Sequence, residues 1–129
     1  MTYKNAFSWL LRIVVAIILL QTLYFKFTAH PDSVFIFSRL GVEPWGRIGL
    51  GIIELFTAIL ILGPRTKFIG MVLSLFIIIG AIISHVLVIG FNIHGDGGGL
   101  FSLALIIFIS DTLFFIINWK EFVKFFNRT

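Results

Sequence analysis

The chain has 129 residues, of which 59% are hydrophobic and only 12% are charged, and its formal net charge is +4. A soluble domain of this length could not bury so much apolar surface, so the composition excludes an ordinary globular protein. The sequence contains no cysteine, which excludes disulfides, thiolate catalysis and haem or iron–sulfur groups held by the chain's own thiols. The basic residues lie between and outside the apolar runs, which indicates membrane topology signals and no nucleic-acid partner.

The first apolar run predicts a membrane span over about residues 7–27. Trp9 and Arg12 lie near its start, and Tyr24 and Lys26 lie near its end. Aromatic and basic side chains in these places are typical of the two membrane interfaces. A small-x-small cleavage site does not follow the run, so we expect a retained span and not a signal peptide.

Residues 28–47 are too polar to span a membrane and predict a short interfacial helix. Asp32 or Ser33 is a suitable N-cap for this helix, and Gly41 is a suitable stop. The apolar side chains of residues 34–37 are available to lie against the membrane surface.

The second predicted span, about residues 48–62, carries Glu54 in its middle. A charged group near a bilayer centre is costly and usually faces the interior of a bundle. At the helical period Glu54 shares its face with Gly51, Thr57 and Ala58, and small residues indicate contact with another helix. Two interpretations of Glu54 stay open: a protonated, hydrogen-bonded packing residue, or part of a functional site.

Two further spans are predicted, over about residues 68–89 and 100–117. His85 lies near the end of the third span, and Asp111 lies within the fourth. The glycine-rich loop between them lacks the pattern of a phosphate-binding loop. We therefore expect this loop to form a flexible turn or the mouth of a cavity.

Four spans with short connections predict an all-α, four-helix transmembrane bundle, with the interfacial helix between the first and second spans. We expect residues 1–129 to form a single integral membrane domain. A cytoplasmic N-terminus would put seven of the ten basic residues on the inner side: Lys4, Arg12, Arg65, Lys67, Lys120, Lys124 and Arg128. The distribution of positive charge therefore predicts a multi-pass protein with both termini in the cytoplasm.

In this topology Lys26 and His85 lie near the outer membrane surface, and Glu54 lies about 9 Å below it. We expect these three residues to converge on one buried polar layer. Arg12 and Asp111 are predicted to form a second, inner ion pair. A buried carboxylate and an imidazole are suited to exchanging protons with a polar head such as a quinone, or to hydrogen-bonding it. Alternatives stay open, because Lys26 could extend to the headgroups and His85 could bond a neighbouring polar group.

We expect no intrinsic cofactor and no metal site. Only His85 lies in a predicted span, whereas His30 and His94 lie in loops, so bis-histidine haem ligation is disfavoured. Neither Glu54 nor Asp111 begins a Glu-x-x-His pair of the kind that carboxylate di-metal centres use. A nucleophile with its base and orienting group is also missing, so a stand-alone enzyme is not expected.

Four short motifs occur in a fixed order: Arg12 followed by Lys26, GxxEL at residues 51–55, GPRTK at residues 63–67 and AIISH at residues 81–85. In this order and spacing they resemble the DoxX family of small four-span membrane proteins. The segment LGVEPWGRIG, residues 40–49, is similar to that of bacterial members.

The resemblance implies a four-helix membrane fold shared with the DoxD-type subunit of thiosulfate:quinone oxidoreductase. By position, it implies that Arg12, Lys26, Glu54 and His85 are the family's polar residues. The sequence departs from many members at Thr22 and its neighbour Leu23, where those members carry glycine.

Two functions follow from the residues and the resemblance together. The favoured one is a membrane subunit, or a module binding a quinone or lipid head, in an oxidoreductase system that uses Lys26, Glu54 and His85. The alternative is a non-enzymatic scaffold or chaperone for another membrane protein, since distant relatives act in this way. Both place the chain in the bacterial cytoplasmic membrane, in contact with lipid and with a membrane-protein or redox partner, and both leave a homo-oligomer open.

Overall fold

The computed structural model describes residues 2–127, and within this range the chain is helical with no strand, as the composition predicts. The helices are α1 (Tyr3–Phe27), α2 (Pro31–Arg39), α3 (Trp45–Leu62), α4 (Lys67–Ser84), α5 (Gly99–Ile117) and α6 (Trp119–Asn127). A π-helical segment, His85–Ile89, continues α4 without a break.

Four helices are long and apolar enough to cross a membrane: α1, α3, α4 with its π-helical segment, and α5. Helix α1 packs against α3 and α5, and α4 packs against the same two helices. The four helices therefore form a closed ring in the order α1, α3, α4, α5. The predicted four-span fold with a short helix between the first two spans is confirmed.

Helix α3 shows how the sequence divides each span into an inner and an outer face. The predicted inner face is confirmed, because all four of its residues are buried: Gly51, Glu54, Thr57 and Ala58. The opposite face is apolar and exposed: Ile52, Phe56 and Ile59. Exposed apolar side chains of this kind suit contact with acyl chains, and a bundle in lipid needs such an outer surface.

Glycine allows α3 and α4 to approach closely where the turn at residues 63–66 joins them. A Cβ atom added at Gly70 would lie 2.5 Å from the backbone nitrogen of Ile61. Only glycine fits there without movement of the α3 backbone, which is the usual role of small residues between membrane helices.

At the bundle end that contains the chain's N-terminal part and α6, aromatic side chains pack together, and we call this end the closed half. The Phe68 ring packs against three other rings, with centroid distances of 5.7 Å to Phe114, 5.7 Å to Phe122 and 5.4 Å to Phe125. Helix α6 was not anticipated from the sequence. Its Glu121 lies 3.8 Å from Lys4 and 4.0 Å from Lys67, which holds α6 across the starts of α1 and α4.

The N-cap of helix α2 lies two residues before Asp32, the first of the two predicted caps. His30 is the N-cap, and its Nδ1 accepts a hydrogen bond from the backbone nitrogen of Asp32 at 3.2 Å. Asp32 and Ser33 therefore lie inside the helix, and a capping histidine was missed because Ser, Thr, Asp and Asn are the usual capping residues. At the other end of α2, Arg39 donates to the carbonyl oxygen of Val88 at 3.2 Å, which joins α2 to the π-helical segment.

Candidate functional site

Lys26 and Glu54 form an ion pair inside the bundle, at the end opposite the closed half. Lys26 Nζ lies 3.1 Å from Glu54 Oε2, and the two side chains are 13% and 5% exposed. Lys26 is the penultimate residue of α1 and Glu54 lies at the middle of α3, so the long lysine side chain covers the difference in depth. The structure thus brings together two of the three residues predicted for the outer polar layer.

Thr22 adds a hydroxyl group to this pair. Its Oγ1 lies 3.1 Å from Glu54 Oε2 and 2.8 Å from the carbonyl oxygen of Leu19, and its single proton serves one of these acceptors at a time. Thr22 therefore places a polar group beside the buried carboxylate.

His85 lies at the first position of the π-helical segment and is 6% exposed. Its Nδ1 lies 2.9 Å from the carbonyl oxygen of Ala81, and its ring packs 5.4 Å from the ring of Phe101. Its Nε2 is buried and finds no hydrogen-bond partner among residues 2–127. Single π-helical turns often occur at functional sites, because they change the direction in which a side chain points.

Lys26, Glu54 and His85 all line one cavity of about 630 Å³. We call the part of the bundle around it the cavity half. The polar lining residues lie towards α2, and the apolar ones lie deeper along α1 and α5, including Ile18, Leu19 and Ile107. A volume of this size, apolar walls and a few polar groups are typical of small-molecule sites.

The predicted inner ion pair between Arg12 and Asp111 is not formed. Arg12 Nε donates to the carbonyl oxygen of Ile61 at 2.9 Å, and Arg12 Nη2 donates to that of Gly63 at 3.2 Å. These carbonyls end α3 and lack partners in their own helix. The guanidinium therefore caps α3, with its carbon 3.9 Å from the centre of the Trp9 ring.

Asp111 faces α4 instead. Its Oδ2 accepts a hydrogen bond from Ser74 Oγ at 2.8 Å, and both residues are fully buried. Its Oδ1 is without a hydrogen-bond partner in the described part of the chain. The prediction placed Arg12 and Asp111 on the same side of the bundle, but depth alone does not decide which neighbouring helix a side chain faces.

Arg47 was not identified from the sequence as a buried residue, but it is 6% exposed at the start of α3. Its Nε donates to Glu43 Oε1 at 2.9 Å, and its Nη1 donates to the carbonyl oxygen of Lys26 at the end of α1. Arg12 and Arg47 therefore have matching roles. Arg12 belongs to α1 and caps the C-terminal end of α3, whereas Arg47 belongs to α3 and caps the C-terminal end of α1. Arg47 lies in the polar segment before the predicted second span, where a charged residue is common and does not by itself indicate burial.

The glycine-rich loop is built around Asp96. Its Oδ1 accepts from the nitrogens of Ile93 at 3.0 Å and Gly98 at 2.8 Å, and its Oδ2 accepts from that of Leu100 at 3.1 Å. Desolvation would raise the pKa of Asp96, but hydrogen bonds from backbone amides outweigh it and hold the pKa below its usual value. The amides thus bond a carboxylate of the chain itself and are not available to bind a phosphate. Asp96 also lines the cavity.

Within residues 2–127, no group of three histidine or acidic side chains is placed to hold a metal ion. The groups that line the cavity can instead hydrogen-bond an organic ligand. Lys26 can donate, and His85 offers one free ring nitrogen.

Comparison with known proteins adds the family. The model of the DoxX-like family matches residues 10–108. The chain belongs to the DoxX-like family. The match includes Lys26, Glu54 and His85, and it ends before Asp111 and α6. No curated protein and no solved structure matches this DoxX-like chain. With its four apolar helices, it is an integral membrane protein.

Proposed function

We propose that this DoxX-like protein is a membrane subunit or binding module of an oxidoreductase system, and that its cavity receives the polar head of a quinone. One observation carries the proposal. Lys26 and Glu54 form an ion pair, and His85 has a buried Nε2 without a partner in the described part of the chain. The three residues come from three different helices and line the same cavity. A buried polar group without a partner is costly, and a ligand that supplies the partner removes that cost.

The three residues have distinct roles in this proposal. Lys26 donates a hydrogen bond to an oxygen of the head, because Glu54 uses only one of its three donors. Glu54 holds the ammonium group in place and offsets the cost of burying it. His85 bonds the head from the π-helical segment that continues α4.

The shape of the cavity supports an amphiphilic ligand. Its lining includes Phe76 and Gly80 on α4, and both residues are exposed on the outside of the bundle. A Cβ atom at Gly80 would meet nothing within 4 Å. The cavity therefore opens sideways, where acyl chains would surround the helices, and an isoprenoid or alkyl tail could leave through this opening.

The test is binding of a decyl-tailed benzoquinone, in its oxidised and reduced forms, to the purified protein in lipid nanodiscs. Glu54→Gln and His85→Ala should each weaken binding of the preferred form about tenfold or more, the size expected for loss of one buried hydrogen bond. Glu121→Gln is the matched control, because Glu121 lies in the closed half. Absence of binding by both forms, or unchanged affinity in both cavity variants, would contradict the proposal.

The location and surroundings of the protein belong to the same proposal. We place it in the bacterial cytoplasmic membrane with both termini in the cytoplasm, because basic residues are in excess on that side. Arg128, which contributes to this excess, lies outside the described residues. The oxidoreductase partner would supply the redox chemistry, for which this chain provides the binding site.

A further inference from the structure

The structure also indicates which hydrogen-bonding groups the ligand carries, and this step rests on the proposed function of the cavity. It depends on which nitrogen of the His85 ring carries the proton. His85 Nδ1 lies 2.9 Å from the carbonyl oxygen of Ala81, and a carbonyl oxygen can only accept a hydrogen bond. Nδ1 therefore carries the ring proton.

In a neutral imidazole with its proton on Nδ1, Nε2 is a hydrogen-bond acceptor. Among residues 2–127, Nε2 has no hydrogen-bond partner.

The two polar walls of the cavity then differ in the hydrogen-bonding groups that they offer. The Lys26 wall offers a donor, whereas the His85 wall offers an acceptor, Nε2, that is buried and has no partner among the described residues. A head that only accepts hydrogen bonds would satisfy Lys26 and leave Nε2 unpaired.

We infer that the ligand head carries a hydroxyl group, which donates to Nε2 of His85 while another oxygen accepts from Lys26. A reduced quinone has this chemistry, because each carbonyl has become a phenolic hydroxyl. A lipid with a free hydroxyl head, such as a diacylglycerol, has it as well. An oxidised quinone carries acceptors alone and should bind more weakly.

The experiment compares four probes on the purified protein in nanodiscs without oxygen: a decyl-tailed hydroquinone, its dimethyl ether, the corresponding quinone, and dioctanoylglycerol. The dimethyl ether keeps the ring and tail but cannot donate. We expect the hydroquinone to bind about tenfold more tightly than the ether or the quinone, as for one buried hydrogen bond.

Variants of His85 assign the difference to one atom. His85→Phe keeps an aromatic ring against Phe101, which lies 5.4 Å away, but has no acceptor. It should reduce the ratio of hydroquinone to ether affinity to about one. His85→Gln restores a side-chain acceptor and should recover part of the ratio. Glu121→Gln is the matched control, because Glu121 lies in the closed half and does not line the cavity, and it should keep the full ratio.

The outcomes separate this inference from the proposed function. Equal binding of hydroquinone and ether, both weakened by Glu54→Gln, would overturn the hydroxyl donor and leave a quinone site in place. Failure of all four probes to bind would overturn both. Binding of dioctanoylglycerol alone, with loss in His85→Phe, would support the hydroxyl donor and contradict a quinone as the ligand.

Discussion

The cavity half and the closed half both bury polar side chains, but they satisfy them differently. In the closed half, the donors of Arg12 bond the last carbonyls of α3 and Ser74 bonds Asp111, and none of these side chains lines the cavity. In the cavity half, the pair of Lys26 and Glu54 and the ring of His85 line an open volume of about 630 Å³. The comparison teaches that space beside a buried charge, more than the charge itself, distinguishes a candidate site from a structural contact.

Arg12 and Arg47 support this distinction, because they make the same kind of contact although Arg12 lies in the closed half and Arg47 lies in the cavity half. Each guanidinium bonds backbone carbonyls at the C-terminal end of the neighbouring helix: Arg12 at α3 and Arg47 at α1. Positive charge at a helix C-terminus is favourable, and the two contacts fix α1 and α3 as an antiparallel pair. Both arginines are therefore structural by geometry, even though buried arginine in a membrane span would suggest function.

The largest expected effect concerns the ion pair of the cavity half. Lys26→Met should destabilise the protein by about 3–5 kcal/mol, because it leaves Glu54 buried without its partner. Adding Glu54→Leu should recover most of this loss, since an apolar pair can replace a buried ion pair. The measurement is unfolding by denaturing detergent in mixed micelles. A single variant as stable as the double variant would contradict the buried pairing.

A smaller effect is expected in the closed half. Arg12→Met should cost about 1.5–3 kcal/mol, because the terminal carbonyls of α3 lose charged hydrogen bonds. Binding of quinone or hydroquinone by the folded variant should be unchanged, which is what separates the two halves. Arg65→Met serves as the control, since Arg65 is exposed at the following turn. A loss of ligand affinity in Arg12→Met without unfolding would contradict a purely structural role for Arg12.

The smallest effect concerns Asp96 at the rim of the cavity. Its pKa is below the usual value in the folded protein, so its contribution to stability is present above the unfolded pKa and is lost as the pH falls through the folded pKa. The loop should therefore open in acid. Hydrogen exchange of the amides of Gly98 and Leu100 measures this opening. Asp96→Asn should remove most of the pH dependence, and an unchanged acid response in that variant would assign it to another group.

Much of the fold could be predicted from the sequence, because lipid imposes long apolar helices and because each helix repeats every 3.6 residues. That repeat was enough to put Gly51, Glu54, Thr57 and Ala58 on the inner face of α3. Helix α6 was missed because its nine residues are too few for a span and mix basic with aromatic side chains.

The site was predictable only in part, for a related reason. Lys26, Glu54 and His85 could be grouped because each lies towards the same membrane surface. The partner of Arg12 could not be predicted, because the Arg12 side chain bonds the end of α3 and Asp111 bonds Ser74 on α4. The sequence also gives no measure of empty volume, so the cavity and the free Nε2 of His85 needed the packed structure.

The most direct test of the central claim is photolabelling in native membranes with a decyl-tailed hydroquinone that carries a diazirine on its ring. The account predicts that label falls on the peptides around Thr22 and Lys26 of α1 and around His85, and that unlabelled hydroquinone prevents it. Label spread over outward-facing residues such as Phe56 and Phe108, without competition, would contradict a binding site in the cavity.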